Sequence, residues 1–136
     1  MLRRTKYLHT STTTATKRHP KDEEHRLQCA CVRWFRMQFK QLSYALFAVP
    51  NGGRRDPITG ARLKAEGALA GVSDLILLQR NSRYGALLIE MKTSKGRHSP
   101  AQKAWSKAIT SGDEFKYVTC RSLQEFMFAI NEYLKG

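Results

Sequence analysis

Acidic residues are scarce in this chain: 11 Asp and Glu stand against 24 Lys and Arg, a net charge of +13. That shortage makes a polyanionic partner the first expectation. Membrane surfaces and acidic proteins are polyanionic too, so charge alone does not select nucleic acid. Cysteine is also scarce. Cys29, Cys31 and Cys120 are an odd set that cannot close a full disulfide framework, which suits a reducing compartment. Cys29 and Cys31 have no matching second pair, so a zinc site is not expected, and both read as core or half-buried thiols. No apolar run approaches the roughly 18 residues that a membrane span requires, so no membrane partner is expected. The N-terminal stretch lacks the apolar segment of a secretory signal. No fixed-period repeat is visible, and nothing reads as a separate base-reading module such as a zinc finger.

What is present fits one domain with one hydrophobic core, since 136 residues at 41% hydrophobic content can bury enough surface. Residues 1–20 read as a basic tail with Arg3, Arg4, Lys6, Lys17 and Arg18, no acidic residue and a Ser/Thr-rich run from Thr10 to Thr16. Such a stretch buries too little apolar surface to offset its ordering entropy. A loose DNA-contacting arm, an import leader and a role-free remnant all fit it. Residues 21–136 read as the folded domain. A helix is expected from Asp22 to Lys40, with Asp22, Glu23 and Glu24 at its positive end and Leu27, Cys31, Trp34 and Phe35 at helical spacing. Tyr44 to Val49 reads as a buried strand, ended by the turn signals Pro50 to Gly53. A second helix is expected from Thr59 to Leu69, then a hairpin of Val72–Leu78 and Tyr84–Met91 around Asn81 to Arg83. Ser99 and Pro100 open a third helix, whose apolar contacts are expected from Ala104, Trp105 and Ala108. Phe115 to Thr119 reads as a strand. Ser122 with Glu125 opens the last helix, lined by Leu123, Phe126, Met127, Ile130 and Leu134. The order α-β-α-β-β-α-β-α predicts an α/β fold with a central mixed sheet flanked by helices. Trp34, Trp105, Tyr44, Tyr84, Tyr117 and Tyr133 sit in apolar patterns and read as core.

Chemistry concentrates in the hairpin. Glu90 and Lys92 are two apart on a strand and so face one side. If the two strands pair antiparallel, Asp74 at the start of one lies beside Glu90 at the end of the other. Two adjacent ionised carboxylates repel, and a divalent cation removes that cost. Oxygen ligands suit magnesium or manganese, and the Met91 backbone carbonyl can add a ligand. Lys92 can then orient water or stabilise charge at a phosphate. From spacing alone, an ordinary ion pair at a strand end fits equally well.

Several blocks in order sharpen this. Gly71-Val72-Ser73-Asp74-Leu75 and Ile89-Glu90-Met91-Lys92-Thr93 resemble the VRR-NUC domain (virus-type replication-repair nuclease), a branch of the PD-(D/E)XK nuclease superfamily. Phe47 to Gly53, Leu63 to Gly67 with Ala70-Gly71-Val72, and Gly96 to Gln102 are similar too, so the likeness runs from about Glu24 to Leu134. It implies a restriction-endonuclease-like core, Asp74 and Glu90 as metal ligands, Lys92 as the catalytic lysine and Gln102 as a catalytic-site glutamine. It offers Glu24 as a further ligand, directly or through water; a plain helix-end carboxylate is the other reading. Ser73 departs from the proline in the superfamily's name, which weakens the textual match more than the mechanism. Glu66 is a further candidate for the site, but a role in supporting the site from behind or in the structure alone is preferred, since its helix lies outside the three-part core.

The nucleic-acid surface is expected at Gln28, one turn beyond Glu24, and at Asn51, Gly53, Arg54, Arg55, Lys64, Lys95, Arg97 and Ser99. His98 sits in the same loop as Lys95 and Arg97. Such contacts position a backbone without reading sequence. The resemblance implies a Mg2+- or Mn2+-dependent DNA endonuclease, acting on branched or junction DNA and working as a homodimer. A non-catalytic DNA-binding or partner-recruiting module of the same fold and an RNA-directed nuclease are the alternatives. A phage-encoded or bacterial cytoplasmic protein is the expected setting.

Overall fold

The computed structural model describes residues 19–50 and 56–136. The expected element order holds throughout this range. Helix α1 spans Pro20–Gln38, beginning two residues before Asp22 and ending two before Lys40. Asp22 and Glu23 lie in its first turn, where the free N–H groups favour carboxylates. Cys31 and Phe35 are its fully buried positions. A short 3-10 turn, Lys40–Leu42, then leads into the sheet.

Four strands form one sheet in the order β1-β2-β3-β4: β1 is Leu46–Ala48, β2 Leu75–Leu77, β3 Ala86–Met91 and β4 Phe115–Cys120. The β1–β2 and β2–β3 pairs are antiparallel, and β3–β4 is parallel. The sheet is therefore mixed, with the parallel pair joined through a helix, as parallel neighbours require. All six residues of β3 are buried. A continuous apolar run is what a strand covered on both faces needs. Leu87, Ile89 and Met91 face a core shared with Cys31 and Phe35 of α1 and with Phe126, Ile130 and Tyr133 of α4, Leu123–Lys135. Trp34 meets Phe126 edge-on at 6.0 Å across the two helices. The opposite face carries Leu88 and Glu90 and is covered by α3, Pro100–Thr110, where Trp105 meets Tyr117 at 6.2 Å.

Three expectations need correction. Strand β1 is a half-buried edge: Leu46 points inward, Phe47 and Ala48 are exposed, and Tyr44 is 98% exposed before the strand begins. Apolar pattern does not distinguish such an edge strand from a central one. On α3, Ala104 and Ala108 face solvent, and the inward positions are Gln102, Trp105 and Ile109. Cys29 is exposed, its sulfur 3.6 Å from His25 Nε2, whereas Cys31 and Cys120 are buried.

Helix α2 spans Pro57–Ala65, shorter than expected at its C-terminal end. Asp56 caps it, accepting from the Thr59 N–H at 2.7 Å, and Pro57 fits the first turn. None of its residues is buried. Glu66 closes α2 as an exposed C-cap, its N–H bonded to the Arg62 carbonyl.

Candidate active site

The first turns of α1, the residue preceding β2, the end of β3 and the start of α3 meet at one end of the sheet. Asp74 lies just before β2. Its backbone carbonyl accepts from the Val49 N–H at 2.8 Å, tying it to β1. Its side-chain Oδ2 accepts from the Met91 N–H at 2.7 Å. The last β2–β3 register pair is Leu75 with Ile89, so the Asp74 side chain takes over the ladder where the strand stops. A strand residue's N–H and C=O point to the same edge. The Met91 carbonyl is thus turned to the Asp74 side, while its side chain is buried in the core. Ser73 is fully buried, and its hydroxyl donates to the Leu75 carbonyl at 3.2 Å.

Glu90 is 1% exposed. Its Oε1 accepts from Gln102 Nε2 at 2.7 Å and lies 3.6 Å from the Lys92 ammonium. Its Oε2 is buried and receives no hydrogen bond of good geometry from the described residues, with the Asp74 carboxyl facing it. Burial pushes the carboxyl up to about 8, the Asp74 charge pushes the same way, and Lys92 opposes both. Glu24 is raised as well, first by burial and then by Asp74, again against Lys92. The three carboxylates therefore share one field, which Lys92, 8% exposed, does not neutralise. Tyr117 adds to the strain on this face. Its hydroxyl is buried, with the Thr119 side chain the one group that favours its ionised form. Burial, then Glu90 and Asp74, push the phenol well above its ordinary range.

Gln102 has two tasks. Its Oε1 accepts from the Ser99 N–H at 2.8 Å while the Ser99 hydroxyl accepts from the Gln102 N–H at 3.2 Å, a complete capping box. With its oxygen held there, the amide nitrogen is aimed at Glu90. Gly71 makes this approach possible. Its φ is +90°, and a Cβ there would sit 2.3 Å from the Ala101 carbonyl oxygen. Only glycine lets the chain ahead of Asp74 lie against the start of α3.

Asp74, Glu90, Lys92 and Gln102 are thus brought together, with Glu24 within electrostatic reach. Gln28 is half-buried one turn further along α1. Lys95 and Arg97 are exposed on the loop between β3 and α3, and Ser99 is engaged in the cap. Lys64 is exposed on α2. Asn51, Gly53, Arg54 and Arg55 lie outside the described residues, as does most of the expected tail. Sequence reasoning missed Arg121, Thr119 and Lys103. One Arg121 guanidinium nitrogen donates to the carbonyls of Thr93 at 2.8 Å and Gly96 at 2.6 Å, and His98 Nε2 pairs with Thr119 Oγ1 at 2.9 Å. No motif marks these residues; the parallel β3–β4 register, with Glu90 opposite Thr119, brings Thr119 and Arg121 to the site, and Lys103 follows Gln102 on α3.

Among the described residues, no three His, Cys, Asp or Glu side chains converge closely enough to hold a metal ion alone. The donors do fit a hard cation in another way. A buried carboxylate oxygen without a partner is costly, and it lies in a site where a second carboxylate and a backbone carbonyl converge.

A family model described as "VRR-NUC domain" matches residues 10–124. A solved structure titled "VRR_NUC domain protein" superposes with a TM-score of 0.69 at 23% identity, covering 82% of this chain and 88% of that one. No curated protein matches the sequence.

Proposed function

The chain belongs to the VRR-NUC domain family, a nuclease family, with a restriction-endonuclease-like fold, and from that premise we propose that it is a metal-dependent DNA endonuclease. The observation that carries the reading is the unpartnered, buried Oε2 of Glu90 in the field of Asp74. Asp74, Glu90 and the Met91 carbonyl would hold Mg2+ or Mn2+, with water and phosphate oxygens completing the shell and Glu24 contributing through water. When bound, such a cation polarises the phosphate and acidifies a water molecule.

The chain's own residues do the rest. Gln102 anchors Glu90 Oε1 and leaves Oε2 free as a ligand. Asp74 is fixed by the Met91 N–H, so its orientation needs no reorganisation before reaction. The Lys92 ammonium, nearly buried beside Glu90, is set to stabilise negative charge developing on the phosphate. Lys95 and Arg97, exposed on the adjoining loop, would hold the backbone without reading its sequence. Branched or junction DNA is the proposed substrate, cut by a homodimer that sets two such sites against two strands.

The test is a cleavage panel of branched, flapped and linear DNA with matched RNA, in Mg2+ or Mn2+. Metal-dependent cutting of DNA, strongest on the branched forms, is expected. No cleavage by folded protein under any condition would overturn the reading. Tight DNA binding with neither metal binding nor cleavage would select the non-catalytic module, and preferential cutting of RNA would select an RNA-directed enzyme.

A further inference from the structure

The site has a second side, formed by cations. His98 is half-buried, and that burial, then the charges of Lys92, Arg121 and Lys103, holds the imidazole below its ordinary range. Its Nε2 is paired with a neutral hydroxyl, that of Thr119, and not with a carboxylate. Thr119 stands opposite Glu90 in the β3–β4 register, and Cys120, just before Arg121, stands opposite Met91. Lys103 follows Gln102 on the first turn of α3. Three cations thus act on His98, and one of them, Lys92, also faces the carboxylates.

Arg121 is built into this place. Its two bonds to Thr93 and Gly96 both leave from Nη1, fixing the guanidinium and the turn after Lys92 together. A guanidinium carries five N–H donors, so three remain for another acceptor. Gly96 keeps that turn tight: a Cβ there would lie 3.3 Å from Lys92 Cδ and 3.2 Å from Thr93 Oγ1. Glu125, the carboxylate on the next helix, accepts from the Arg121 backbone N–H and is exposed.

We propose that His98, Lys103 and Arg121, with the Thr119 hydroxyl, form a binding site for the backbone phosphate next to the one being cut. The proposal rests on the nuclease reading above. Clustered cations destabilise one another, and a phosphate relieves that cost as a divalent cation does for clustered carboxylates. Arginine and lysine beside a helix N-terminus provide charge-assisted donors and a favourable dipole for such an anion. The turn held by Arg121 also ties this phosphate to Lys92, so binding one nucleotide would register the next over the carboxylates.

A chemical cycle tests it without cleavage. DNA oligonucleotides carrying a single neutral methylphosphonate at successive positions around the cut are titrated, in calcium, against the wild type and Arg121→Gln. At one position flanking the scissile phosphate, neutralisation should weaken wild-type binding about 10-fold, the worth of one charge-assisted contact. In Arg121→Gln the same substitution should cost less than about 2-fold, because the partner is already gone. Equal losses in both proteins overturn the proposal, as does the absence of any sensitive flanking position. If Arg121→Gln fails to fold, the exposed Lys103→Gln replaces it in the same cycle, and equal losses there overturn the proposal in the same way. A chain that binds in this way yet never cuts would overturn the nuclease reading instead.

Discussion

The two sides of the site are frustrated in opposite senses. On one, Glu24, Asp74 and Glu90 press negative charge together around a buried oxygen without a partner. On the other, Lys92, Lys103 and Arg121 gather positive charge around the neutral pair of His98 and the Thr119 hydroxyl. Among the described residues, only the contact of Lys92 with Glu90 at 3.6 Å bridges them directly. A protein selected for stability alone would pair these groups across the gap. Under the proposed function, keeping them apart would leave one side complementary to a cation and the other to an anion, the two components of a phosphodiester poised for hydrolysis with its metal.

Lys92→Ala breaks the bridge and should have the largest effect. Cleavage should slow at least about 100-fold while DNA binding falls far less, since the lost interaction forms fully only in the transition state. Single-turnover rates with saturating protein check this. Gly71→Ala should come next. Its Cβ would collide with the Ala101 backbone at a positive φ, so about 2 kcal/mol or more of stability should disappear, read from denaturant unfolding. Activity should fall with it as α3 shifts and Gln102 leaves Glu90.

Gln102→Ala removes half of the capping box and the partner of Glu90, and should cost about 1–2 kcal/mol on the same measurement. Gln102→Glu would sharpen the comparison: it can restore the cap but sets a fourth carboxylate against Glu90.

A pH series separates the two sides further. Glu90 is raised from 4.5 to about 8 when folded, so its contribution to metal-free stability is full below pH 4.5 and lost as pH rises toward 8. Thermal unfolding without metal should therefore decline over that window, and Glu90→Gln should flatten the decline. Metal binding should strengthen over the same window because the ligand must lose its proton. The smallest effect concerns the thiols. Burial pushes Cys31 and Cys120 up to about 12, so alkylation of the folded protein should label Cys29 and leave cleavage unchanged.

The contrast between the two sides also explains what the sequence could reveal. Asp74, Glu90 and Lys92 lie in one antiparallel hairpin, so period-two alternation and a short turn suffice to bring them together. Gln102 follows with its own capping signal at Ser99. The element order was legible for the same reason, since each segment carries local start and stop residues. Arg121 and Thr119 reach the site only through a parallel pairing after a helical crossover, and no local pattern encodes that register. The alanines of α3 misled because alanine favours helix on any face, whereas the inward stripe contains the polar Gln102. Tyr44 misled because an aromatic residue beside a strand looks alike whether the strand is central or, as here, an edge.

The central claim is that Glu90 and Asp74 hold a cation that cuts the backbone. The direct measurement is the cleavage rate of one labelled DNA substrate across a Mg2+ titration, for the wild type and Glu90→Gln, with folding checked for both. The wild type should show no cleavage in chelator and a saturable rise with Mg2+, and Glu90→Gln should be slower by at least about 100-fold at every concentration. Cleavage by the wild type that ignores the metal, or equal rates for the two proteins, would contradict the account.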